Sequence, residues 1–387
     1  MRRLLRNRAL VFLATGVIGL AVSGCGSNHA AKAVSAESAK ESGALQPGSG
    51  AMLSPDLLDH AGLKLVWDLK LPLKDKEKFV FIALLGDRLY LRSDQNYLWS
   101  LDRAKGDVVF SRSIAPPGVP ILGLVPYEND LISVIANNLV ELDVNSGKEQ
   151  RVSHMDLSIV APPVRNSQYF YISATDRRLH IFRADNLVRI FPVTADNDSL
   201  ITTVLADEGM VAFGTDAGNL VGMMPDAPRK LWQFKATEAV AGSIVRDGNS
   251  FYFASTDTNV YRVDIVEGTG ATMVWKYQAE AVLDRPPLVT KEFVYQYAFG
   301  RGLTAIAKQT GKAAWSLPEG VDLLAEAGTK AYVITKSRTL AVLDNASGKK
   351  LFFVNFAPIA HHAANTTDAR IYIMDETGQV ACLEPIL

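Results

Sequence analysis

Apolar and polar residues repeat a single pattern along most of the chain. In its first clear copy, residues 79–85 form an almost continuous apolar run, residues 88–93 alternate between apolar and polar, and residues 97–101 and 108–110 are again largely apolar. Turn-forming residues such as Gly86-Asp87 and Lys105-Gly106 separate these segments. Short runs bounded by turn residues predict four β-strands per copy, and the continuous apolar run predicts a first strand buried on both faces.

The register of the repeat is marked by the apolar residue that precedes its third turn. This anchor residue is, in turn, Leu101, Leu142, Phe182, Met223, Val263, Ile306, Leu343 and Leu383. The spacing of about 40 residues is typical of propeller blades rather than of helical repeats. A large aromatic follows most anchors, as Phe110, Phe191, Trp232, Trp275, Trp315 and Phe352. We expect these rings to pack between neighbouring blades, because a binding residue would not need to recur at a constant offset.

The two ends of the pattern complement each other. Trp67 lies in a strand with no anchor before it, and Leu383 is an anchor with no strand after it. The sequence therefore predicts an all-β, eight-bladed propeller of four-stranded antiparallel blades, whose ring is closed by an N-terminal strand joining the last blade. The copy after Leu142 is the weakest, with Arg151-Val152 in place of the aromatic, which leaves seven blades as an alternative.

The N-terminus carries the pattern of an exported, lipid-anchored protein. Four arginines within the first eight residues precede an unbroken run of apolar and small residues at 9–22, which predicts a signal peptide over residues 1–24. The run ends in Val22-Ser23-Gly24-Cys25, which resembles a bacterial lipobox and predicts acylation of Cys25. Residues 25–57 are rich in Ser, Ala and Gly and are interpreted as a tether, with the propeller occupying residues 58–387. The body would then be anchored to a membrane rather than threaded through it.

Charge and cysteine content exclude several classes of function. The formal net charge of −1 argues against binding to nucleic acid. Cys382 is the one cysteine besides Cys25, so neither an intrachain disulfide nor a cysteine-rich metal site is expected, and Cys382 is interpreted as a small buried apolar residue. The loop from Asp143 to Gly147 has too few carboxylates for calcium and is interpreted as a tight turn. No cofactor and no metal are predicted.

The repeat resembles that of a known family of propellers. A strand, an apolar-Asp pair, a Gly-Lys turn and then Trp, as in Ile306 to Trp315, is similar to the repeat of quinoprotein-like propellers. Together with the lipobox, it looks most like the BamB-like outer-membrane assembly lipoproteins. The resemblance implies a non-catalytic, monomeric scaffold at the outer membrane with its body in the periplasm. It further implies protein partners in the cell envelope, among them the barrel-assembly machinery.

Two other functions remain open at this point. Glycan or peptidoglycan binding in the central funnel is one alternative. The other is a quinoprotein dehydrogenase, although the chain has neither a Cys-Cys pair nor a haem motif. Hydrolase motifs such as Gly-x-Ser-x-Gly are missing from the mature chain, so no enzyme is predicted.

A few charged residues near predicted inner strands are candidates for contacts with a partner or ligand in the funnel. Arg165 follows Pro162-Pro163, Asp284 and Arg285 precede Pro286-Pro287, and His361 lies in the last inner strand. His361 and His362 are adjacent, so in a strand they point to opposite faces and cannot bind one ion together. The alternative is that the prolines shape the strand entries and that water solvates the charges.

Overall fold

The computed structural model describes residues 52–386 of the chain. The predicted signal peptide, Cys25 and most of the predicted tether lie outside the described residues. None of the helical segments in the described part has the length and apolar character needed to cross a bilayer.

The described residues form one short helix, one 3-10 turn at Asp196–Asp198 and thirty-two strands. The helix is α1 (Pro55–His60). In chain order the strands are β1 (Leu63–Lys70), β2 (Phe79–Leu85), β3 (Arg88–Ser93), β4 (Tyr97–Asp102), β5 (Val108–Ser113), β6 (Ile121–Tyr127), β7 (Asp130–Ile135), β8 (Asn138–Asp143), β9 (Glu149–His154), β10 (Val164–Arg165), β11 (Tyr169–Ser173), β12 (Arg178–Arg183), β13 (Arg189–Thr194), β14 (Ile201–Ala206), β15 (Val211–Thr215), β16 (Asn219–Met223), β17 (Lys230–Lys235), β18 (Val240–Asp247), β19 (Ser250–Ser255), β20 (Asn259–Val266), β21 (Gly270–Gln278), β22 (Leu288–Val289), β23 (Phe293–Ala298), β24 (Gly302–Ala307), β25 (Ala313–Leu317), β26 (Gly320–Ala327), β27 (Lys330–Thr335), β28 (Thr339–Asp344), β29 (Lys350–Asn355), β30 (Ile359–Ala363), β31 (Ile371–Asp375) and β32 (Gln379–Pro385).

These strands form eight four-stranded antiparallel sheets. Blades 1 to 7 are built from consecutive strands: β2–β5, β6–β9, β10–β13, β14–β17, β18–β21, β22–β25 and β26–β29. Blade 8 combines β30, β31 and β32 with β1. The predicted eight-bladed propeller is confirmed. The weak copy after Leu142 folds into a complete blade 2, so the seven-bladed alternative is wrong.

The ring closes as the sequence predicts. Strand β1 pairs antiparallel with β32, with Leu65 opposite Leu383 and Trp67 opposite Cys382. Cys382 is fully buried, and this burial raises the pKa of its thiol to about 12, so it behaves as the small apolar residue that was expected. Because the last blade joins both ends of the repeat region, neither end can separate without breaking a sheet.

Helix α1 is a feature that the sequence analysis did not anticipate. It begins at Ser54, whose side chain accepts from the Leu57 N–H, and Pro55 occupies its first turn. Leu58 and the preceding Leu53 are buried in the same apolar cluster as residues of blades 7 and 8. The third and fourth strands of blade 8, β32 and β1, come from opposite ends of the chain, so no turn connects them. Helix α1 directly precedes β1 and packs against both β1 and β29.

Strand β2, the first strand of blade 1, is less buried than the sequence suggests. In β2, Phe79 is buried, but the remaining residues are half-buried or exposed. The core lies instead in the second and third strands, where Leu89, Leu91 and Trp99 are almost fully buried. The prediction that residues 79–85 form a strand buried on both faces is therefore wrong. First strands of neighbouring blades contact one another, for example β14 with β18 and β2 with β30, and thus form the inner wall of the ring.

The aromatics of the fourth strands pack between blades, as predicted. The indole N–H groups of Trp67, Trp275 and Trp315 donate to the carbonyl oxygens of Arg103, Lys308 and Asn345 in the third turn of the next blade, at 3.1, 2.9 and 2.8 Å. Each ring lies on a glycine of that turn, so close that an added Cβ would come within 2.6 Å of Trp67 at Gly106. Burial of one such ring contributes roughly 2–3 kcal/mol to stability.

The Asp-x-x-x-Gly segments form tight turns. The Asp143 carboxylate accepts from the Ser146 N–H at 2.7 Å, and Asp344 accepts from the Ser347 N–H at 2.9 Å. Hydrogen bonds from Ser146 and Ser347 lower the pKa of Asp143 and Asp344, respectively. These carboxylates therefore stabilise the tight turns that the sequence predicted.

Candidate functional sites in the channel and between blades 2 and 3

Two adjoining cavities open along the channel wall formed by blades 2 to 5. They measure about 410 and 400 Å³ and share Val125, Val164 and Val204, which lie on first strands. Gly123 allows a close approach of Pro162, because a Cβ at this position would lie 2.6 Å from the proline ring. Volumes of this size are in the range of small-ligand sites, and the wall is largely apolar.

Arg165 lies at one mouth of this channel. Its guanidinium carbon is 4.4 Å from the ring centre of Tyr127 and 4.9 Å from that of Phe170. The same guanidinium is 3.4 Å from Glu141 and 3.9 Å from Asp130. Its side chain is 12% exposed, so Arg165 is held on all sides by blades 2 and 3 and presents little surface to a ligand.

A second charged group at this mouth includes residues that sequence reasoning missed. Glu208 accepts from the Ser167 N–H at 2.9 Å and from the Tyr127 hydroxyl at 3.3 Å. Hydrogen bonds from Ser167 lower the pKa of Glu208, which therefore stays ionised at the rim. Arg246 of blade 5 forms an ion pair with the neighbouring Asp207.

The structure does not bring the predicted site residues into one cluster. Each blade has four antiparallel strands, so all first strands run in the same direction along the axis. Arg165 ends such a strand, whereas Asp284 and Arg285 precede one, so the two sets lie at opposite mouths of the channel. Asp284 is exposed, and Arg285 lies 4.5 Å from the ring centre of Tyr297 in its own blade.

His361 occupies a third position, on the first strand of blade 8. It is half-buried, and burial lowers the pKa of its imidazole. Its neighbour His362 turns to the other face and lies 3.0 Å from Asp322 of blade 7. Among residues 52–386, no three His, Cys, Asp or Glu side chains are placed to share a metal ion.

The junction between blades 2 and 3 departs from the other seven. Each fourth strand pairs with the third strand of its blade through a register shift. The fourth-strand residue paired beside this shift is aromatic in the other blades, as in the pairs Trp315–Ala305 and Phe110–Ser100. In blade 2 this position is Arg151, opposite Glu141. Their side chains form an ion pair, and Glu141 is only 5% exposed. Burial raises the pKa of Glu141 against the opposing effect of Arg151 and Arg165.

Arg151 also replaces the hydrogen bond that an indole makes elsewhere. Its guanidinium donates to the carbonyl oxygens of Ala184 at 2.7 Å and Asp185 at 3.0 Å, in the third turn of blade 3. These carbonyls correspond to those that accept from Trp67, Trp275 and Trp315. The ring itself has no substitute, and a groove of about 560 Å³ lies between the fourth strand of blade 2 and the third turn of blade 3.

Leu187 is the counterpart of this change on blade 3. It occupies the turn position where blades 1, 2, 6 and 7 have a glycine, and it adopts the same left-handed backbone with a φ of 55°. Its N–H donates to the Arg183 carbonyl at 3.0 Å, as the glycine N–H groups do in their turns. A side chain fits here because no aromatic ring lies over the turn. The left-handed conformation costs a non-glycine residue about 1–2 kcal/mol.

One signal of this junction was present in the sequence. The repeat lacks its aromatic at Arg151-Val152 and its Gly-Lys turn at residues 183–187. Either difference from the repeat, taken alone, is indistinguishable from ordinary sequence variation in a degenerate repeat copy. Only the fold places them face to face across one interface.

Comparisons with known proteins agree with this architecture. Residues 220–352, from the third strand of blade 4 to the fourth strand of blade 7, match the model of the family described as outer membrane protein assembly factor BamB. A comparison with curated proteins returns no significant match. The crystal structure of BamB from Moraxella catarrhalis is similar to this chain with a TM-score of 0.62 and 15% identity, covering 83% of this chain and 97% of the BamB chain.

The protein has a BamB-like propeller fold. A second similar structure, the computationally designed Ika8 protein, has a TM-score of 0.60 and 14% identity, and the similarity covers 81% of this chain and 98% of Ika8. At these identities the likeness concerns the fold. The matched family segment excludes the junction between blades 2 and 3, so the departures at Arg151 and Leu187 are features of this chain outside the matched repeats.

Proposed function

We propose that this protein is a non-catalytic scaffold that binds protein partners during outer-membrane protein assembly. The observation that carries the proposal is the match of residues 220–352 to the BamB family model. The likeness to the solved BamB chain over 97% of that chain's length supports it at the level of fold. A propeller binds its partners through its surface, so the fold supports the role but does not identify the contact residues.

The construction of the ring suits a rigid platform. Aromatic rings that bond to the next blade hold neighbouring sheets in place, and strand β1 ties the last blade to the N-terminal part of the chain. Rigid elements lose little conformational entropy when a partner binds, which favours affinity. The partners we propose are envelope proteins of the barrel-assembly machinery.

The proposal includes a lipid anchor at Cys25 and a periplasmic body at the outer membrane. Its support is the lipobox-like Val22-Ser23-Gly24-Cys25 and the Gly26 that follows it. Metabolic labelling with a fatty acid tests this directly. The wild type is expected to take up label and to fractionate with outer membranes, whereas a Cys25→Ser variant is expected to lose both properties. Labelling that persists in Cys25→Ser would contradict the assignment of the anchor.

Co-purification tests the scaffold role. The acylated protein is isolated in mild detergent, and the proteins recovered with it are identified by mass spectrometry. Stoichiometric recovery of barrel-assembly proteins is the expected result. A protein recovered without partners but with a bound quinone or glycan would overturn the scaffold and identify the channel as the working site.

One observation favours a second candidate function, the binding of a small polar ligand such as a glycan in the channel. The mouth cavity of about 410 Å³ places Tyr127 beside the ionised Glu208, and an aromatic ring next to a carboxylate can stack on and hydrogen-bond a sugar. Calorimetric titration with soluble peptidoglycan fragments tests this function. Binding that is lost in Glu208→Gln but kept in Glu280→Gln, an exposed carboxylate of the blade 5–6 connection, would support it.

A further inference from the structure

Three departures from the repeat meet at the junction between blades 2 and 3. The wedge aromatic is replaced by Arg151, and a buried carboxylate at Glu141 balances it. Leu187 takes a left-handed position where the turns of blades 1, 2, 6 and 7 have glycine. An ion pair in this environment is seldom a gain in stability over apolar packing, and the left-handed leucine is a cost. Departures of this kind that coincide at one place indicate a functional surface.

The groove at this junction is amphipathic. Buried Met155 and Phe182, together with half-buried Leu157 and Leu187, line its apolar part. The volume of about 560 Å³ is ample for one large side chain of another molecule.

One basic residue of the groove has no ion-pair partner. Asp185 lies 3.2 Å from Arg183, and Asp156 lies 3.8 Å from the imidazole of His154, which carries a charge only when it is protonated. Arg151 is engaged by Glu141. Arg189 forms no ion pair among the described residues and lies 5.6 Å from the ring centre of Phe182. The groove thus offers an exposed guanidinium beside an aromatic floor.

We propose that this groove binds an extended segment of a protein partner, which inserts one aromatic side chain between blades 2 and 3 and places a neighbouring carboxylate on Arg189. The aromatic fits because a ring fills the equivalent wedge at each of the other seven junctions. The carboxylate fits because the exposed guanidinium of Arg189 forms no ion pair among the described residues. This inference rests on the proposed scaffold function and names the surface and the chemistry of one of its contacts.

Peptide titration tests the proposal on the full mature chain. The probe is a fluorescently labelled hexapeptide, Gly-Ser-Trp-Glu-Ser-Gly, compared with versions in which Trp is replaced by Ala or Glu by Gln. The first peptide is expected to bind, and each replacement is expected to weaken binding about tenfold. Equal binding of all three peptides, or no binding of the first, overturns the proposal.

Variants of the protein locate the binding. Arg189→Gln is expected to weaken binding of the Trp-Glu peptide about tenfold. The control is Arg229→Gln, which changes an exposed arginine in the third turn of blade 4 and is expected to leave the affinity unchanged. The triple variant Glu141→Ser, Arg151→Trp, Leu187→Gly rebuilds the common wedge and fills the groove with the chain's own ring. A folded triple variant that still binds the peptide as the wild type does would overturn the proposal.

Co-purification with the same variants separates this inference from the scaffold role. Loss of one barrel-assembly protein from the triple variant and from Arg189→Gln supports the groove as its contact. Retention of all partners by both variants overturns the groove and leaves the scaffold intact. If the wild type recovers no envelope protein while the peptide results hold, the scaffold role fails and the groove remains a peptide site.

Discussion

Arg151 lies opposite Glu141 at the one blade junction within residues 52–386 where an ion pair takes the place of an aromatic wedge. The Glu141 side chain is 7% exposed and that of Arg151 27%. A carboxylate this deeply buried depends on its guanidinium partners, because the desolvation cost of an unpaired charge is several kcal/mol.

Removal of Arg151 alone should therefore destabilise the protein. Arg151→Ala is expected to lower the free energy of unfolding by about 2–3 kcal/mol, since Glu141 then retains only Arg165. The apolar pair Glu141→Met, Arg151→Leu is expected to cost less than the single change. Urea unfolding of Arg151→Ala and of the double variant measures the free energy of unfolding of each. A double variant less stable than Arg151→Ala would contradict this account.

The contact between Trp315 and Gly348 predicts a steric effect. A Cβ at residue 348 would lie 2.2 Å from the Trp315 Cβ, and φ is +68°. Gly348→Ala is expected to cost about 2–4 kcal/mol from the clash and the left-handed backbone together. Gly248→Ala is the matched control, because φ is +60° there and nothing lies within 4 Å. It should cost only about 1 kcal/mol. Equal unfolding midpoints for the two variants would argue against the wedge.

Helix α1 is expected to contribute to the stability of the propeller. Leu58 is buried against blades 7 and 8, so Leu58→Ala should lower the free energy of unfolding by about 2–3 kcal/mol. Asp59→Ala, at an exposed position of the same helix, should change it by less than about 0.5 kcal/mol. Thermal unfolding of both variants decides whether this segment is part of the fold or of a tether.

His180 predicts a loss of stability in mild acid. It is 1% exposed, and burial lowers the pKa of its imidazole despite its contact with Asp176. The folded state thus binds a proton less readily than the unfolded state, whose histidine titrates near 6.5. Its contribution is present above about pH 6.5 and is lost as the pH falls through the lower folded pKa. The unfolding temperature should drop between pH 7.5 and 5.5 more in the wild type than in His180→Gln. Equal drops would rule out this residue as the cause.

Much of the fold could be predicted from the sequence, but the candidate sites could not. The periodicity located eight blades and the closing strand, because the blades are built from local alternation and turn residues. Arg165, Asp284, Arg285 and His361 were chosen for their place beside inner strands, and the structure places them at three separate positions. Position along a strand does not reveal which neighbouring blade a side chain meets.

By itself, the sequence determined the register of the repeat, the closing strand and the packing of aromatics such as Trp275 between blades, and it favoured eight blades over seven. These features depend on short-range patterns that each blade repeats. Only the tertiary structure decided that Arg151 of one blade and Leu187 of the next are complementary departures across an open groove. The two residues are 36 positions apart and lie on either side of a blade boundary, and their relationship arises from the packing of two sheets.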